Sequence, residues 1–180
     1  MKILLTGSSK GIGFNIANTL VNEGHDIALH YNKNKSSLNN LIKDSKTNSF
    51  TIQSDLSDTN QIKDLVTNTI DKLSFPDCII NNAGIAESAD ISIDFEKWNE
   101  LFDRTIDVNL KAPSLIFKEL INYKRVNKIK SRLRFINIAS RAAFRGEQED
   151  YISYACSKGG MISLTKTMSR SFGKTDNIVA

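Results

Sequence analysis

The chain has 180 residues, of which 40% are hydrophobic and 24% are charged, and its formal net charge is +4. A chain of this length corresponds to about one domain and can bury a sizeable core, so we expect a single domain over residues 1–180. The composition excludes a disordered chain, a collagen-like chain and a disulfide-rich scaffold. Two cysteines without metal-ligand spacing indicate no metal site and a reducing compartment. Because no apolar run reaches the roughly 18 residues of a membrane helix, or suits the core of a signal peptide, we expect a cytoplasmic protein that spans no membrane.

Short apolar segments alternate with segments of helical periodicity along the chain. The apolar segments at residues 2–6, 26–31, 50–54, 77–81 and 133–139 are typical of strands. They are continuous rather than alternating, which suits strands that are covered on both faces. The alternation of strands and helices predicts a parallel sheet with right-handed crossovers. The predicted fold class is therefore α/β, a doubly wound, Rossmann-like parallel sheet in a three-layer α/β/α arrangement.

Apolar spacing predicts the helices between these strands. The apolar face of the first helix contains Ile12, Ile16, Ala17, Leu20 and Val21. The same spacing in the third helix groups Ile62, Leu65, Val66, Ile70 and Leu73. Asp58 stands before that helix as an expected N-cap. Residues 36–48 are polar, and we expect only a short helix there with a solvated face.

A glycine-rich turn at residues 6–13 joins the first strand to the first helix. Gly7 would allow the tight turn, Gly11 would let the backbone approach a pyrophosphate, and Gly13 would let the helix pack closely on the strand. The N–H groups and partial positive charge of the helix N-terminus would bind the phosphates. The position of the glycines between strand and helix predicts a dinucleotide site, and a glycine turn without a ligand is the alternative.

The end of the second strand distinguishes between the two nicotinamide dinucleotides. An acidic residue there would accept hydrogen bonds from the ribose 2′-hydroxyl of NAD, but this strand ends with Tyr31, Asn32 and Lys33. Lys33, and Lys10 in the glycine turn, could contact a 2′-phosphate instead. The sequence therefore favours NADP(H) over NAD(H), although each lysine alone could equally be a surface charge.

A basic run without acidic residues occupies positions 123–134. Its cations are Lys124, Arg125, Lys128, Lys130, Arg132 and Arg134. Such runs are usually solvated helix ends and loops, and docking of an acidic partner is the alternative. Nucleic-acid binding is the weakest interpretation, because Tyr123 is the only aromatic residue in the run. We therefore expect no nucleic-acid partner.

Two further groups of residues favour structural roles. His25 and His30 are isolated in the sequence, and we expect each to serve in a loop or in packing rather than as a ligand. Four large apolar residues have roughly helical spacing and are expected in the core or a subunit interface: Phe95, Trp98, Leu101 and Phe102.

Six short motifs stand in order along the chain. They are the turn at residues 6–13, Asp55-Leu56, Asn81-Asn82-Ala83-Gly84, Asp107-Val108-Asn109, residues 136–140 ending in Ser140, and Tyr154-x-x-x-Lys158. Together they resemble the motifs of the short-chain dehydrogenase/reductase family, in particular its 3-oxoacyl-[acyl-carrier-protein] reductase-like members. The resemblance covers residues 2–180. It implies an oxidoreductase that transfers a hydride between a nicotinamide cofactor and a carbonyl or secondary alcohol.

The resemblance implies a catalytic set of four residues. Tyr154 would be the general acid. The pKa of a free tyrosine is about 10, and the ammonium of Lys158, one helical turn away, would favour the phenolate. Lys158 would also hold the nicotinamide ribose, and Ser140 would hydrogen-bond the substrate oxygen. Asn109 would hold a water that links Lys158 to bulk solvent. Tyr151 has Ala155 rather than a lysine four residues later and does not fit the signature.

The same resemblance implies the cofactor-binding residues and the partners. The residues are Gly7, Ser9, Lys10, Gly11, Ile12, Gly13, Tyr31, Asn32, Lys33, Asp55, Leu56, Asn82, Ala83, Gly84 and Lys158. The expected substrate is a small carbonyl compound or alcohol, with a 3-oxoacyl thioester on an acyl carrier protein favoured by the family and by the basic run. The resemblance also implies a homodimer or homotetramer.

The sequence departs from the family pattern in two places. Ser140 and Tyr154 are one residue further apart than is commonest in the family, which a loop can absorb. Residues 177–180 resemble only the start of a sixth strand, so we expect a C-terminally truncated chain that lacks the usual last strands. The fifth strand would then have an unpaired edge. An inactive remnant that at most binds a dinucleotide is the alternative to an active enzyme, although all four predicted catalytic residues are present.

Overall fold

Six short strands form a parallel sheet in the computed structural model of the chain, which describes residues 1–43 and 45–180. The strands are β1 (Lys2–Leu5), β2 (Asp26–Tyr31), β3 (Phe50–Gln53), β4 (Cys78–Asn81), β5 (Leu133–Asn137) and β6 (Ile178–Val179). Their order across the sheet is β3-β2-β1-β4-β5-β6, and each neighbouring pair is parallel. This doubly wound order confirms the predicted fold class.

Helices connect the strands and cover the sheet. They are α1 (Gly11–Asn22), α2 (Ser36–Lys43), α3 (Thr59–Leu73), α4 (Phe95–Ile106), α5 (Ala112–Val126), α6 (Ala142–Arg145) and α7 (Ile152–Asp176). A π-helical turn, Asp107–Lys111, joins α4 to α5, and a 3-10 turn, Glu149–Tyr151, precedes α7. Asp44, part of the helix predicted at residues 36–48, lies outside the described residues. Every helix in the described part of the chain is too short or too polar to span a bilayer.

Two apolar clusters fill the space between the sheet and its helices, and they test the predicted helix faces. The predicted apolar face of α3 is buried, and Asp58 caps this helix by accepting hydrogen bonds from the N–H groups of Asn60 and Gln61. In α1, Ala17 and Val21 are buried as predicted. Ile12 is 64% exposed, so its predicted burial was wrong. The first turn of α1 stands at the carboxyl edge of the sheet, beyond the side chains of the strands.

Strand β5 is covered on one face only. Leu133 and Phe135 are buried, whereas Arg134 and Ile136 are exposed, so the expectation of two covered faces was wrong for this strand. The expected unpaired edge was also wrong at its first two residues, because Leu133 and Arg134 pair with β6. Beyond Arg134, none of the described strands pairs with this edge of β5.

Two members of the basic run have partners inside the fold. Lys124 is buried, and its ammonium donates to the carbonyl oxygens of Ile129 and Ser131. Arg125 binds Asp176 through two hydrogen bonds of 2.7 and 2.8 Å, which join the last turn of α5 to the last turn of α7. This pairing lowers the pKa of the Asp176 carboxyl to about 2. The prediction of a solvated run was therefore wrong for Lys124, whereas the side chain of Arg125 is paired but 57% exposed.

Replacing Asp176 by asparagine should lower the melting temperature by about 2–4 °C at pH 7, because the charged pair with Arg125 is lost. The pKa of Asp176 is lower in the folded state than the roughly 3.9 of an unfolded chain. The pair therefore stabilises the protein above about pH 4, and this contribution is lost as the pH falls towards 2. Thermal melts between pH 7 and pH 2.5 should show the difference between wild type and variant shrinking.

The matched control is Glu100→Gln, which breaks the exposed pair between Glu100 and Lys97. Exposed pairs contribute little, so this variant should melt within about 1 °C of the wild type. Equal losses in the two variants, or a difference for Asp176→Asn that is independent of pH, would contradict the assignment.

Candidate active site

The carboxyl ends of β1 and β4 border a crevice, because the strand order reverses between these neighbours. Hydrogen bonds join the loops that follow the two strands. The hydroxyl of Thr6 accepts from the N–H groups of Asn82 and Ala83 at 3.1 and 3.0 Å, and the Asn82 side chain donates to the carbonyls of Thr6 and Gly7 at 3.0 Å each. The predicted glycine turn and the Asn-Ala-Gly motif therefore form one structural unit.

The glycines of the turn are required by its geometry. Gly7 has φ +66°, and a Cβ added there would lie 2.7 Å from the Cα of Ala83. A Cβ on Gly13 would overlap the carbonyl oxygen of Gly7 and the side-chain amide of Asn82. Gly11 has φ +55° and open space where its Cβ would stand. Gly7 and Gly13 thus permit close packing, while Gly11 leaves the N-terminus of α1 accessible.

The N-terminus of α1 offers backbone donors to a ligand. Within the described structure no side chain caps its first turn, whereas Asp58 and Asp94 cap α3 and α4. Uncapped N–H groups bear partial positive charge and suit an anionic group such as a pyrophosphate. The exposed side chain of Ile12 stands in the same turn. The residues present therefore fit the phosphates of a dinucleotide.

The residues predicted to contact the adenosine half fall into two groups. Lys10, Asn32 and Lys33 are exposed at the carboxyl edge of the sheet. The side chains of Tyr31 and Leu56 belong to the apolar clusters, so only their backbone could contact a ligand. Sequence alone could not make this distinction, because the burial of a side chain at the end of a strand or in the loop after it depends on packing with distant residues.

Two other predicted cofactor residues have hydrogen-bond partners within the protein. One carboxylate oxygen of Asp55 accepts from the N–H and the hydroxyl of Ser57 at 2.9 and 2.7 Å. These hydrogen bonds lower the pKa of Asp55, so this residue is anionic at neutral pH. The carbonyl of Ser9 accepts from the hydroxyl of Ser37 at 2.8 Å, which ties the glycine turn to α2.

Asn109 lies at the π-helical turn and is completely buried. Its side-chain nitrogen donates to the Ile85 carbonyl at 2.8 Å and to the Ser157 hydroxyl at 3.0 Å, and its oxygen accepts from the Ile85 N–H at 2.8 Å. Such π turns often occur at functional sites. Protein groups occupy both amide protons of Asn109, which leaves one lone pair of its oxygen for the water that the family resemblance implies.

Lys158 is buried beside the ring of Tyr154. Its ammonium donates to the carbonyl of Ile138 at 2.8 Å and lies 5.8 Å from the centre of the phenol ring. Burial lowers the pKa of Lys158. The hydroxyl of Ser157 donates to the Tyr154 carbonyl at 2.7 Å, so the contacts of Asn109 extend to the turn of α7 that contains the tyrosine.

Two further predicted residues are Ser140, expected in the catalytic set, and Gly84, expected to bind the cofactor. The hydroxyl oxygen of Ser140 accepts at 3.2 Å from the N–H of Ala142, the first residue of α6, and this helix packs against α7. Its proton and second lone pair remain for another partner. A Cβ on Gly84 would lie 3.3 Å from the Asn109 side-chain oxygen and 3.6 Å from the Lys158 nitrogen. These two polar atoms therefore border the space above Gly84.

Sequence reasoning missed two polar residues of this region. Ser157 links Asn109 to α7, and its place between the signature tyrosine and lysine was the available signal. His30 is buried, and its ring contacts the N–H of Gly7 in the glycine turn. An imidazole within an otherwise apolar strand was a signal that it contacts a polar group.

The family model described as short chain dehydrogenase matches residues 1–179. The chain belongs to the short-chain dehydrogenase family. A relative in Staphylococcus epidermidis, the 3-oxoacyl-[acyl-carrier-protein] reductase FabG, is 30% identical over 186 residues, which covers 98% of this chain and 72% of FabG. The relatives confirm that the fold and motifs are those of an oxidoreductase family.

Solved structures of short-chain dehydrogenases share this architecture. A 4-hydroxyisoleucine dehydrogenase complexed with NADH is 29% identical, with a TM-score of 0.81 over 96% of this chain and 68% of that chain. A blue fluorescent protein from a metagenomic library, in complex with NADPH, is 26% identical, with a TM-score of 0.82 over 99% of this chain and 70% of that chain. Structural neighbours of this chain therefore include complexes with both dinucleotides.

Gly13→Ala should lower the free energy of unfolding by about 1–3 kcal/mol, because the methyl group would overlap the Gly7 carbonyl and the Asn82 amide. Urea denaturation measures this loss. The control is Gly173→Ala in α7, where the added methyl would make an ordinary 3.5 Å contact with the Ile178 carbonyl and would gain about 1 kcal/mol of helix propensity. A Gly13→Ala protein as stable as the wild type would show that the turn does not need this close packing.

Proposed function

We propose that the chain is an NADP(H)-dependent carbonyl reductase, which also oxidises the matching secondary alcohol. The observation that supports this most strongly is the buried ammonium of Lys158 beside the ring of Tyr154. This pair lies next to a crevice whose glycine turn fits a dinucleotide. In this function the Lys158–Tyr154 pair and the glycine turn act together.

The proposed roles follow from the groups that face the crevice. A bound nicotinamide dinucleotide would supply the hydride for carbonyl reduction. The N–H groups of α1 would hold the pyrophosphate, and Lys158 would hold the ribose next to the nicotinamide. Tyr154 would donate a proton to the substrate oxygen as negative charge develops there, with the hydroxyl of Ser140 as a second donor. The ammonium of Lys158 would then stabilise the phenolate.

Asn109 has an indirect role in this proposal. Its amide fixes the backbone of Ile85, beside the crevice, and the hydroxyl of Ser157 on α7. It would therefore hold the loop after β4 at a constant distance from the helix that contains Tyr154. In this role Asn109 is a positioning residue, with one lone pair available for a water that leads to Lys158.

Tyr154→Phe should reduce the rate constant for ketone reduction by about 10²–10⁴-fold, because the general acid is lost, while NADPH binding stays within about threefold. Tyr151→Phe is the matched control, since Tyr151 lies three residues earlier and has Ala155 where the signature has a lysine. NADPH oxidation, followed by absorbance with a panel of ketones, measures the rates. Undiminished turnover by the Tyr154→Phe protein would refute the proposed mechanism.

The preference for NADP(H) rests on charge at the end of β2. The described residues there include no acid at positions 31–33, and Lys33, after β2, and Lys10, in the glycine turn, are both exposed. Lys33→Ala should weaken NADPH binding about five- to tenfold, the value of one charge-assisted hydrogen bond, and should leave NADH binding unchanged. Lys43→Ala, at the last turn of α2, is the control. Equal effects on both dinucleotides, measured by fluorescence titration, would contradict the assignment.

We further propose 3-oxoacyl thioesters as the substrate class, supported by the 30% identity to FabG. The contact with an acyl carrier protein would lie at the carboxyl edge of the sheet, near Tyr154. The basic run is not beside this site, because it connects the end of α5 to the start of β5 at the amino edge. Turnover of sugars or steroids but not of a thioester would reject this substrate. A cofactor-induced rise in melting temperature without turnover would identify the non-catalytic alternative.

Exposed aromatic surface supports self-association. Phe95 is 76% exposed and so is not part of the core, whereas Trp98 and Phe102 are half-buried and stack with their ring centres 5.2 Å apart. We propose a homodimer or homotetramer in which Phe95 contributes to the contact. Sedimentation of Phe95→Ser against the wild type would distinguish this assembly from a monomer.

A further inference from the structure

His30 contacts two different loops through its two ring nitrogens. It lies in β2 and is 2% exposed. The N–H of Gly7 donates to Nδ1 at 3.0 Å, and Nε2 lies 2.9 Å from the carbonyl oxygen of Ser54, which directly follows β3. A backbone N–H can only donate and a carbonyl can only accept, so the ring is neutral with its proton on Nε2. Burial, which lowers the pKa of His30, favours the same neutral form.

Only one of the bonds between β2 and the glycine turn depends on this side chain. The backbone carbonyl of His30 accepts from the N–H and the hydroxyl of Ser8, each at 2.9 Å. Those two bonds could form with any residue at position 30. The bond from Gly7 to Nδ1 requires an acceptor on the side chain. The imidazole therefore supplies the sequence-specific part of the contact.

The Gly7 amide is a sensitive point of the crevice. Gly7 has φ +66° and packs against Ala83, and its carbonyl accepts from the Asn82 side chain. The Gly7 N–H shares its peptide unit with the carbonyl of Thr6, which also accepts from the Asn82 side chain. A peptide unit that lost its partner on the N–H side could rotate, and this rotation would move the Thr6 carbonyl away from Asn82. The residues that follow lead directly into the N-terminus of α1, where the phosphates are proposed to bind.

We propose that His30 is a positioning residue of the dinucleotide site: its Nδ1 fixes the Gly7 amide and thereby orients the glycine turn and the first turn of α1. Its effect on ligand affinity rests on the proposed function, whereas the contact itself does not. His30 lies beneath the turn and acts through Gly7 rather than by touching the ligand. The hydrogen bond from the Nε2 proton to the Ser54 carbonyl holds the ring in the orientation that presents Nδ1 to the Gly7 amide.

Asparagine and glutamine separate the two ring contacts. The side-chain oxygen of His30→Asn stands near the place of Nδ1 and can accept from Gly7, whereas the amide nitrogen of His30→Gln stands near the place of Nε2 and can donate to Ser54. We expect the dissociation constant for NADPH to stay within about threefold of the wild type for His30→Asn and to rise at least about tenfold for His30→Gln. The ketone rate at saturating NADPH should change little in both. His25→Gln is the control. The ring of His25 hydrogen-bonds to the exposed N-terminus, so this variant should leave the NADPH affinity unchanged.

Two measurements on the free protein test the contact independently of activity. The ¹⁵N shifts of the His30 ring should show the neutral tautomer with its proton on Nε2. Hydrogen exchange at the Gly7 amide should be slow in the wild type and in His30→Asn and faster in His30→Gln, with similar melting temperatures for the two variants.

The outcomes separate this inference from the proposed function. A proton on Nδ1, or equal NADPH affinity and equal Gly7 protection in the two variants, would overturn the role of His30. Wild-type protein that binds neither NADPH nor NADH would refute the proposed function, and hydrogen exchange at Gly7 would still decide whether His30 holds the turn. A variant that fails to fold leaves the tautomer of the wild-type ring as the deciding measurement.

Discussion

The reversal of the strand order between the parallel neighbours β1 and β4 is the constraint on which the candidate site depends. Parallel strands place their following loops at one edge of a sheet, and the reversed order makes two of those loops diverge. Hydrogen bonds from the backbone N–H groups of Asn82 and Ala83 to the Thr6 hydroxyl then hold the loops together at their base. Motifs that lie as far apart in sequence as residues 7 and 158 meet at this edge because each parallel strand brings the chain back to it.

The local patterns of the sequence predicted the strands, the helices and the glycine turn, because apolar periodicity and turn chemistry act over a few residues. The contacts that these patterns missed join distant positions. Arg125 and Asp176 are 51 residues apart, and the bond from Gly7 to His30 spans 23 residues. A charged or polar residue has no visible partner in a linear sequence, so such residues were expected to be solvated or merely packed. The pairing of β5 with β6 was missed because residues 177–180 were expected to be only the start of a strand, whereas two residues suffice to pair with the beginning of β5.

The environment of Asn109 shows that a motif residue can be both a satisfied buried amide and a link between two parts of a candidate site. Considered alone, it is a buried amide satisfied by the backbone of Ile85, which is the common fate of buried asparagines. Its third hydrogen bond, to Ser157, connects that loop with the helix of Tyr154. The π-helical turn at Asp107–Lys111 is the local irregularity at which this amide stands. The same hydrogen bonds therefore satisfy the buried amide of Asn109 and set the distance between two parts of the candidate site.

Helix α7 is continuous from Ile152 to Asp176, and the ion pair with Arg125 holds its last turn. Tyr154 and Asp176 are separated by 22 steps of this helix, which extend over about 33 Å at 1.5 Å per residue. A tilt of about 2° about the remote end would displace the phenol of Tyr154 by roughly 1 Å, and misplacements of that size can slow a reaction by about a hundredfold. Substitutions near the amino edge of the sheet can therefore alter the alignment of Tyr154 in the proposed active site, although they lie far from any substrate or cofactor atom.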